Sequence, residues 1–111
     1  MKKIAVPIAD GSLSTHFGHA SHFKLFSTDG RNISGVETHS PPPHQPGTYP
    51  RWLASLGATD IIAGGMGQRA IDIFLQNGIN VYTGVNAAAP EELVKQLLDG
   101  TLVAGVNLCD H

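Results

Sequence analysis

The sequence has only one cysteine, and this scarcity limits the kinds of metal or redox site that it can build. With Cys109 alone, no internal disulfide can form and no Cys-x-x-Cys pair exists. A conventional iron–sulfur cluster takes about four thiolates, which one cysteine cannot supply. Any metal site in this chain must therefore rely mainly on histidine, of which there are six.

Charge and long apolar runs are also sparse. Charged residues make up 14% of the chain, the formal net charge is -2, and no stretch is rich in lysine or arginine. Nucleic acid is therefore not an expected partner. No stretch approaches the roughly 20 apolar residues of a membrane span, and the apolar run near the N-terminus is too short for a signal sequence. We expect a cytoplasmic protein that does not contact a membrane.

The length of 111 residues predicts a single domain, residues 1–111, with one core. Lys2–Ala9 is apolar and β-branched, as in a buried strand, and Pro7 is expected to end it. The segment HFKLFSTDGRNISGVETH predicts two short strands around an Asp-Gly turn. Ser40–Pro50 holds five of the seven prolines, so we expect an exposed loop there.

The second half of the chain alternates between strand and helix patterns. Strands are predicted at DIIAGG, INVYTGV and TLVAGV, and helices at GQRAIDIFLQNG and APEELVKQLLDG, after a short helix that Pro50 opens and Gly57 ends. In the first of the two longer helices, the residues expected to face inward are Ile71, Phe74 and Leu75. A hairpin attached to such a βαβαβ unit gives a mixed sheet with helices on its faces, a three-layer α/β/α domain.

Three unusual segments are expected at the carboxyl edge of this sheet, where ligands of open α/β sheets gather. They are residues 10–21, 64–67 and 86–89. Gly-Gly-Met-Gly at 64–67 lacks the Gly-Lys-Ser/Thr of a phosphate loop, so a nucleotide site is not expected. Its amides and the following helix N-terminus predict an anion nest, to which Arg69 can add a forked donor. The alternative is that these glycines only permit a tight turn.

The stretch THFGHASHF places His16, His19 and His22 three residues apart, next to this glycine turn. Imidazole is the commonest protein ligand for borderline-soft metals, and we predict that at least one of the three binds a metal or a cluster. The alternative is an ordinary polar turn. The pattern is not that of structural zinc sites, which recruit two separated ligand pairs. Cys109 and His111 form a Cys-x-His pair, which is either a soft ligand pair or simply a tail.

Taken together, STHFGHA, the run IIAGGMGQRAIDIFLQNGINVY and the terminal Cys-Asp-His resemble the nitrogenase iron-molybdenum cofactor carrier family. These are small stand-alone domains similar to orange protein, and the resemblance covers nearly the whole chain. It implies a ribonuclease H-like, five-stranded mixed sheet with one antiparallel strand. It also implies binding, without turnover, of a preformed anionic metal–sulfur cluster of the molybdenum–iron or molybdenum–copper type.

The resemblance and the chemistry above give a defined set of site residues. His16 is the best ligand candidate, and Arg69 with the glycine nest would neutralise cluster charge. The predicted cofactor-binding residues are His16, Phe17, Gly18, His19, Gly64, Gly65, Gly67 and Arg69. The predicted metal ligands are His16, His19, His22, Cys109 and His111.

A carrier role agrees with the composition, because a cluster whose own sulfides satisfy its metals needs few protein ligands and some hydrogen-bond donors. We therefore expect a non-enzymatic carrier, a monomer or weak homodimer, that works with an ATPase or a cluster-assembly protein. Because imidazoles titrate near neutral pH, cluster retention is expected to depend on pH.

Three other functions are compatible with the fold class. A nuclease needs several carboxylates around two metal ions, but Asp10, Asp60 and Asp72 are expected far apart. A zinc enzyme built on the three histidines would have no acidic residue in the same loop as general base. A metal-free interaction module that regulates an ATPase, with the proline loop and Trp52 as its contact surface, stays open.

Overall fold

A computed structural model of the chain describes residues 2–42 and 48–105. Its strands are β1 (Lys3–Ala9), β2 (Ser12–Leu13), β3 (His22–Asp29), β4 (Asn32–His39), β5 (Asp60–Ile62) and β6 (Asn80–Tyr82). Its α-helices are α1 (Thr48–Ser55), α2 (Gln68–Gln76) and α3 (Pro90–Asp99), and a single 3-10 turn covers Phe17–His19. Within the described residues, no helix has the length and apolarity to cross a membrane.

The strands form one mixed sheet in the order β4-β3-β1-β5-β6, with the short β2 paired to the end of β1. Strands β1, β5 and β6 are parallel to one another, whereas β3 is antiparallel to both of its neighbours, β1 and β4. One strand of the five-stranded path therefore runs against the others. The predicted mixed α/β sheet, including its hairpin, is confirmed.

Helices cover both faces of the sheet, and the alternation of side chains along the strands shows how. Ala5, Leu25 and Ile61 pack in one buried cluster with side chains of α1 and α2. Their chain neighbours Ile4, Phe26 and Ile62 point the other way, into a cluster with α3. Successive strand residues face opposite sides of a sheet, so a strand covered on both sides must be apolar at nearly every position. This explains the unbroken apolar run of β1.

Pro7 does not end β1, contrary to the prediction. It lies inside the strand opposite Phe23, and its carbonyl accepts a hydrogen bond from the Ser14 amide at 2.9 Å. The nitrogen and oxygen of one strand residue point to the same side. The Pro7 nitrogen therefore faces away from β3, and its missing N–H removes no bond from that ladder.

The strand predicted at TLVAGV is wrong over its described part, Thr101–Gly105, which has no strand. Gly100 ends α3 in the left-handed conformation, and the amides of Thr101 and Leu102 donate to the Gln96 carbonyl. These bonds hold Thr101 and Leu102 against the end of the helix; farther along, Val103 is 76% exposed and the Gly105 amide donates to the Thr83 carbonyl at 3.1 Å. Residue 106 lies outside the described residues.

The helices depart from the predictions in two details. Helix α1 begins at Thr48, so the last part of the predicted proline loop is helical; positions 43–47 lie outside the described residues. In α2, Ile73 and Phe74 are buried, whereas Leu75 is 57% exposed, contrary to expectation. Only one stripe of a helix can face a sheet, and Leu75 falls outside the stripe that contains Ile73 and Phe74.

Candidate functional site

The histidine-bearing loop and the glycine turn meet directly at the carboxyl edge of the sheet, which confirms that they lie together. His16 and Gly65 form a short parallel bridge outside the named strands. The Gly65 amide donates to the Thr15 carbonyl at 2.8 Å, and the Phe17 amide donates back to the Gly65 carbonyl at 2.9 Å. Residues 86–89 lie beside β2, since the Leu13 amide donates to the Ala88 carbonyl at 3.2 Å.

Phe17 anchors the histidine loop to the core. Its side chain is 5% exposed and makes edge-on contacts with the rings of Phe23, Tyr49 and Phe74, with centroids 5.5 to 5.8 Å apart. Aromatic pairs favour this geometry. Because Phe17 points inward, the histidines before and after it in the turn are left at the surface.

His16 and His19 form a pair of exposed imidazoles on this turn. Their ring centroids are 5.3 Å apart and the planes are tilted by 57°. The backbone of the pair is fixed by the His19 amide, which donates to the His16 carbonyl at 3.0 Å, and by the Ser14 hydroxyl, which donates to the same carbonyl at 2.7 Å. Ser14 itself is buried. The two rings therefore stand on a well-braced backbone.

A pocket of about 270 Å³ opens beside this pair. Three walls enclose it: the histidine loop, the first turn of α1, and the segment that joins β5 to α2. The lining residues are His16, Phe17, Gly18, His19, Tyr49, Pro50, Gly65, Met66, Gly67 and Ala70. Of these described lining residues, none is a carboxylate. An anion entering the pocket would therefore meet no like charge on its walls.

The N-terminus of α2 forms one side of the pocket. Gly67 precedes the helix with no side-chain cap, and the first bond along the helix runs from the Ile71 amide to the Gly67 carbonyl. The amides of the first helical residues thus have no partner within the helix, and they carry the positive end of its dipole. Gly67 has an ordinary φ of -65°, and a Cβ there would meet nothing within 4 Å.

The predicted site residues divide into those that the pocket brings together and those that it does not. The structure places His16, Phe17, Gly18, His19, Gly65 and Gly67 on the pocket wall. Gly64 lies behind the wall, packed on the backbone of residues 14 and 15. Arg69 is exposed in the first turn of α2 and is not part of the lining. Cys109 and His111 lie outside the described residues.

His22 is separated from the other two histidines. It begins β3, and its Nδ1 lies 3.0 Å from the Ser21 hydroxyl. Throughout residues 2–42 and 48–105, no three His, Cys, Asp or Glu side chains come together as a metal-ion site. A three-imidazole metal site made of His16, His19 and His22 is therefore not formed.

Four lining residues were missing from the sequence prediction: Tyr49, Pro50, Met66 and Ala70. Met66 and Ala70 fall within or next to the glycine turn, so its neighbours in the sequence could have been included. Tyr49 and Pro50 come from α1, and no local pattern indicates that this helix packs beside α2. Only the packing of α1 and α2 on the same face of the sheet brings them there.

Comparison with known proteins agrees with this architecture. Residues 1–100 match the family described as dinitrogenase iron-molybdenum cofactor. An uncharacterised protein of Methanocaldococcus jannaschii is 34% identical over 107 residues, which cover 92% of this chain and 90% of that protein.

Two solved structures are similar over most of their length. The crystal structure of PH0822 has a TM-score of 0.85 and 30% identity, and the match covers 92% of this chain and 93% of that one. The apo form of the orange protein from Desulfovibrio gigas has a TM-score of 0.76 and 25% identity, with 96% and 95% covered. The residues matched by the family include all three walls of the pocket and end before Cys109.

Proposed function

The chain belongs to the dinitrogenase iron-molybdenum cofactor family, and from this we propose that it binds and carries a preformed, anionic metal–sulfur cluster. The cluster is the cargo, and its binding site is the pocket between the histidine loop and α2. One observation carries the proposal: the exposed pair His16 and His19 and the uncapped N-terminus of α2 border the same carboxylate-free pocket.

The number of ligands favours a preformed cluster over a bare metal ion. The described pocket offers two imidazoles and no third His, Cys, Asp or Glu ligand. Two side chains leave a tetrahedral ion half-coordinated. A cluster whose sulfides already satisfy its metals needs only one or two protein ligands and some hydrogen-bond donors.

The electrostatics favour an anion. Backbone amides at a helix N-terminus attract negative charge, and such ends bind anions in many proteins. Arg69, exposed in the same turn of α2, adds a cation near the pocket. The whole chain is mildly acidic, with a formal net charge of -2, so the preference for anions is local to this edge.

The role is one of carriage and not of turnover. Histidine acts as a general base most effectively when a carboxylate orients it, and none lines the described pocket. We propose a cluster of the molybdenum–iron or molybdenum–copper type, handled during cofactor biosynthesis or trafficking in the cytoplasm. A cluster-assembly protein or an ATPase would deliver or collect it, and the carrier itself would be a monomer or weak homodimer.

Cys109 stays a candidate additional ligand. The described chain reaches Gly105, whose amide donates to the Thr83 carbonyl. Gly84, which follows Thr83, donates its own amide to the carbonyl of Gly64 behind the pocket wall. Position 109 itself lies outside the described residues, so its role as a ligand is a proposal that the variant Cys109→Ser tests.

The test is an anaerobic titration with tetrathiomolybdate, followed by visible absorption and by elemental analysis after gel filtration. We expect one molybdenum per chain, and we expect the double variant His16→Ala/His19→Ala to bind about 30-fold more weakly or worse, a loss of about 2 kcal/mol. His39→Ala is the matched control, because His39 lies at the end of β4 and outside the pocket. The variant Cys109→Ser tests whether the Cys109 thiolate is an additional ligand.

Two results would count against a carrier. If the natural protein, purified without oxygen, contains no metal and has no affinity for tetrathiomolybdate, the metal-free interaction module is the better account. If molybdate, which presents oxygen in place of sulfur, binds as tightly as tetrathiomolybdate, the pocket is a general anion site and not a cluster carrier.

A further inference from the structure

Gly64 lies in a close backbone contact between the histidine loop and the glycine turn. A Cβ at this position would lie 3.1 Å from the Thr15 carbonyl oxygen, 3.2 Å from the Ser14 carbonyl oxygen and 3.3 Å from the Thr15 Cα. All three are backbone atoms, which cannot swing aside as a flexible side chain can. Any larger residue must therefore push the histidine loop away from the glycine turn.

Gly64 cannot retreat from that contact either. Its own carbonyl accepts a 2.7 Å hydrogen bond from the Gly84 amide on the opposite side. On the near side, the next residue, Gly65, is bonded to Thr15 at 2.8 Å. The backbone at position 64 is thus held between the chain that follows β6 and the histidine loop, and a displacement breaks bonds on one side or the other.

Ser14 braces the same loop from within. It is 3% exposed, its amide donates to the Pro7 carbonyl at 2.9 Å, and its hydroxyl donates to the His16 carbonyl at 2.7 Å. It therefore ties the backbone of a pocket histidine to β1. Neither Ser14 nor Gly64 lines the pocket.

We propose that Gly64 and Ser14 are positioning residues: they set the spacing between the imidazole pair and the N-terminus of α2 without touching the cargo. This role rests on the cluster-binding function proposed above. It reassigns Gly64, which the sequence suggests as part of the anion nest. Two glycines of the turn then have different roles: Gly64 sets the distance between the histidine loop and the glycine turn, and Gly67 leaves the first amides of α2 accessible.

Positioning matters here because the two halves of the site come from different segments. The imidazoles stand on the loop after β2, whereas the helix amides stand on the segment after β5. Binding groups must be held to within about 0.5 Å of a productive arrangement, and a Cβ at position 64 already takes up a few tenths of an ångström of that tolerance. Loss of supporting residues around a metal site typically lowers metal affinity by about 10- to 100-fold.

The test compares two Gly→Ala variants. Gly64→Ala meets the backbone contact described above. Gly35→Ala is the matched control, because a Cβ there meets nothing within 4 Å and the position is in the edge strand β4. Amide hydrogen exchange is measured on each unliganded protein, and tetrathiomolybdate affinity is measured at a temperature where circular dichroism shows the native fold.

In Gly64→Ala we expect faster exchange at the amides of Gly65 and Phe17, which bond across the bridge, with unchanged protection in the centre of β1. We expect about tenfold or greater loss of affinity and a shifted absorption band for the bound probe. Gly35→Ala should match the natural protein in each respect. Natural exchange at Gly65 and Phe17, or natural affinity with an unshifted band, in a folded Gly64→Ala protein overturns the positioning role.

Ser14→Ala provides the second variant, because it removes the hydroxyl without adding an atom and keeps the inference testable if Gly64→Ala does not fold. We expect the same change in the absorption band and a smaller loss of affinity, and an unchanged band with full affinity overturns the role of Ser14. Failure of the natural protein to bind tetrathiomolybdate is a separate outcome. It rejects the carrier function, whereas the exchange data on the unliganded proteins still decide whether Gly64 holds the loop.

Discussion

The two ends of the parallel strands treat their polar groups in opposite ways. At the amino end, Asp60 is fully buried, and its carboxylate is surrounded by Thr59 at 2.6 Å, Asn80 at 3.3 Å, and Lys2 and Tyr82 at 3.5 Å. Each of these groups makes a hydrogen bond or an ion pair to the Asp60 carboxylate within the protein. At the carboxyl end, the imidazoles of the pocket are exposed and the first amides of α2 are uncapped.

This difference suggests a division of roles, in which the amino end of the parallel strands stabilises the fold and the carboxyl end binds the guest. At the amino end, the buried Asp60 carboxylate is satisfied by hydrogen bonds from Thr59, Asn80 and Tyr82 and by an ion pair with Lys2. At the carboxyl end, the histidine loop and the first turn of α2 border an open pocket. We therefore expect changes at the amino end to alter stability alone, and changes at the carboxyl end to alter binding.

The largest expected effect is that of Asp60→Ala. Removing the carboxylate removes the acceptor shared by Thr59, Asn80 and Tyr82, and a hydrogen bond to a charged group contributes about 1.5–3 kcal/mol. The free energy of unfolding, measured with urea, should fall by about 2 kcal/mol. Affinity for tetrathiomolybdate, measured below the unfolding transition, should not change; a parallel loss of affinity would contradict the division between the two ends.

Gly67→Ala should have the opposite profile. Its φ of -65° suits alanine and its Cβ would meet open space. Alanine is the poorer N-cap residue, but it lowers the entropy of the unfolded chain by a similar amount, so the free energy of unfolding should change by less than about 1 kcal/mol. The new methyl group stands where a guest approaches the amides of α2, and affinity should fall about tenfold, or about 1.4 kcal/mol. Unchanged affinity would show that the guest does not approach this helix end; Gly35→Ala serves again as control.

Arg69→Gln should give a smaller effect that depends on salt. The side chain is exposed and does not line the pocket, so its attraction for an anion is screened at physiological ionic strength. We expect affinity to fall about two- to threefold at low salt and the difference to vanish near 1 M salt. A loss that persists at high salt would instead place Arg69 in direct contact with the guest.

The smallest effect is expected at the amino end in alkaline solution. Burial, and after it the charge of Asp60, raises the pKa of Tyr82 above its ordinary value. The folded protein thus disfavours the phenolate. The stability that the protonated Tyr82 side chain contributes is complete below about pH 10, the pKa in the unfolded chain, and is lost as pH rises through the raised pKa of the folded protein. Urea denaturation at about pH 8 and about pH 10.5 should show a steeper loss for the natural protein than for Tyr82→Phe; equal slopes would contradict it.

Much of the fold follows from patterns that are local in the chain. The hairpin follows from two apolar runs around Asp29 and Gly30, and α2 and α3 follow from their spacing and their terminal glycines. Whether Pro7 can lie inside β1 depends on which side of the strand its nitrogen faces and on whether a partner strand needs a hydrogen bond there. The conformation of Thr101–Gly105 depends on a competition between the end of α3 and the edge of β6, which local propensity does not decide.

The candidate site was predictable to the extent that it depends on topology. The carboxyl ends of β1 and β5 are neighbours, so the loop with His16 and the turn with Gly65 had to meet. The wall formed by Tyr49 needs the packing of α1, and the separation of His22 from the other histidines needs the start of β3. The role of Gly64 depends on distances of a few tenths of an ångström, which no sequence pattern encodes.

The most direct test of a guest-binding carboxyl edge is amide chemical-shift mapping. The 15N-labelled protein is titrated anaerobically with tetrathiomolybdate, and the backbone amides are followed by NMR. The largest shifts are predicted at Gly18, Gly67 and Ala70, with the amides of Asp60 and Asn80 unmoved. Shifts centred on the Asp60 end of the sheet, or no shifts at saturating probe, would contradict the account.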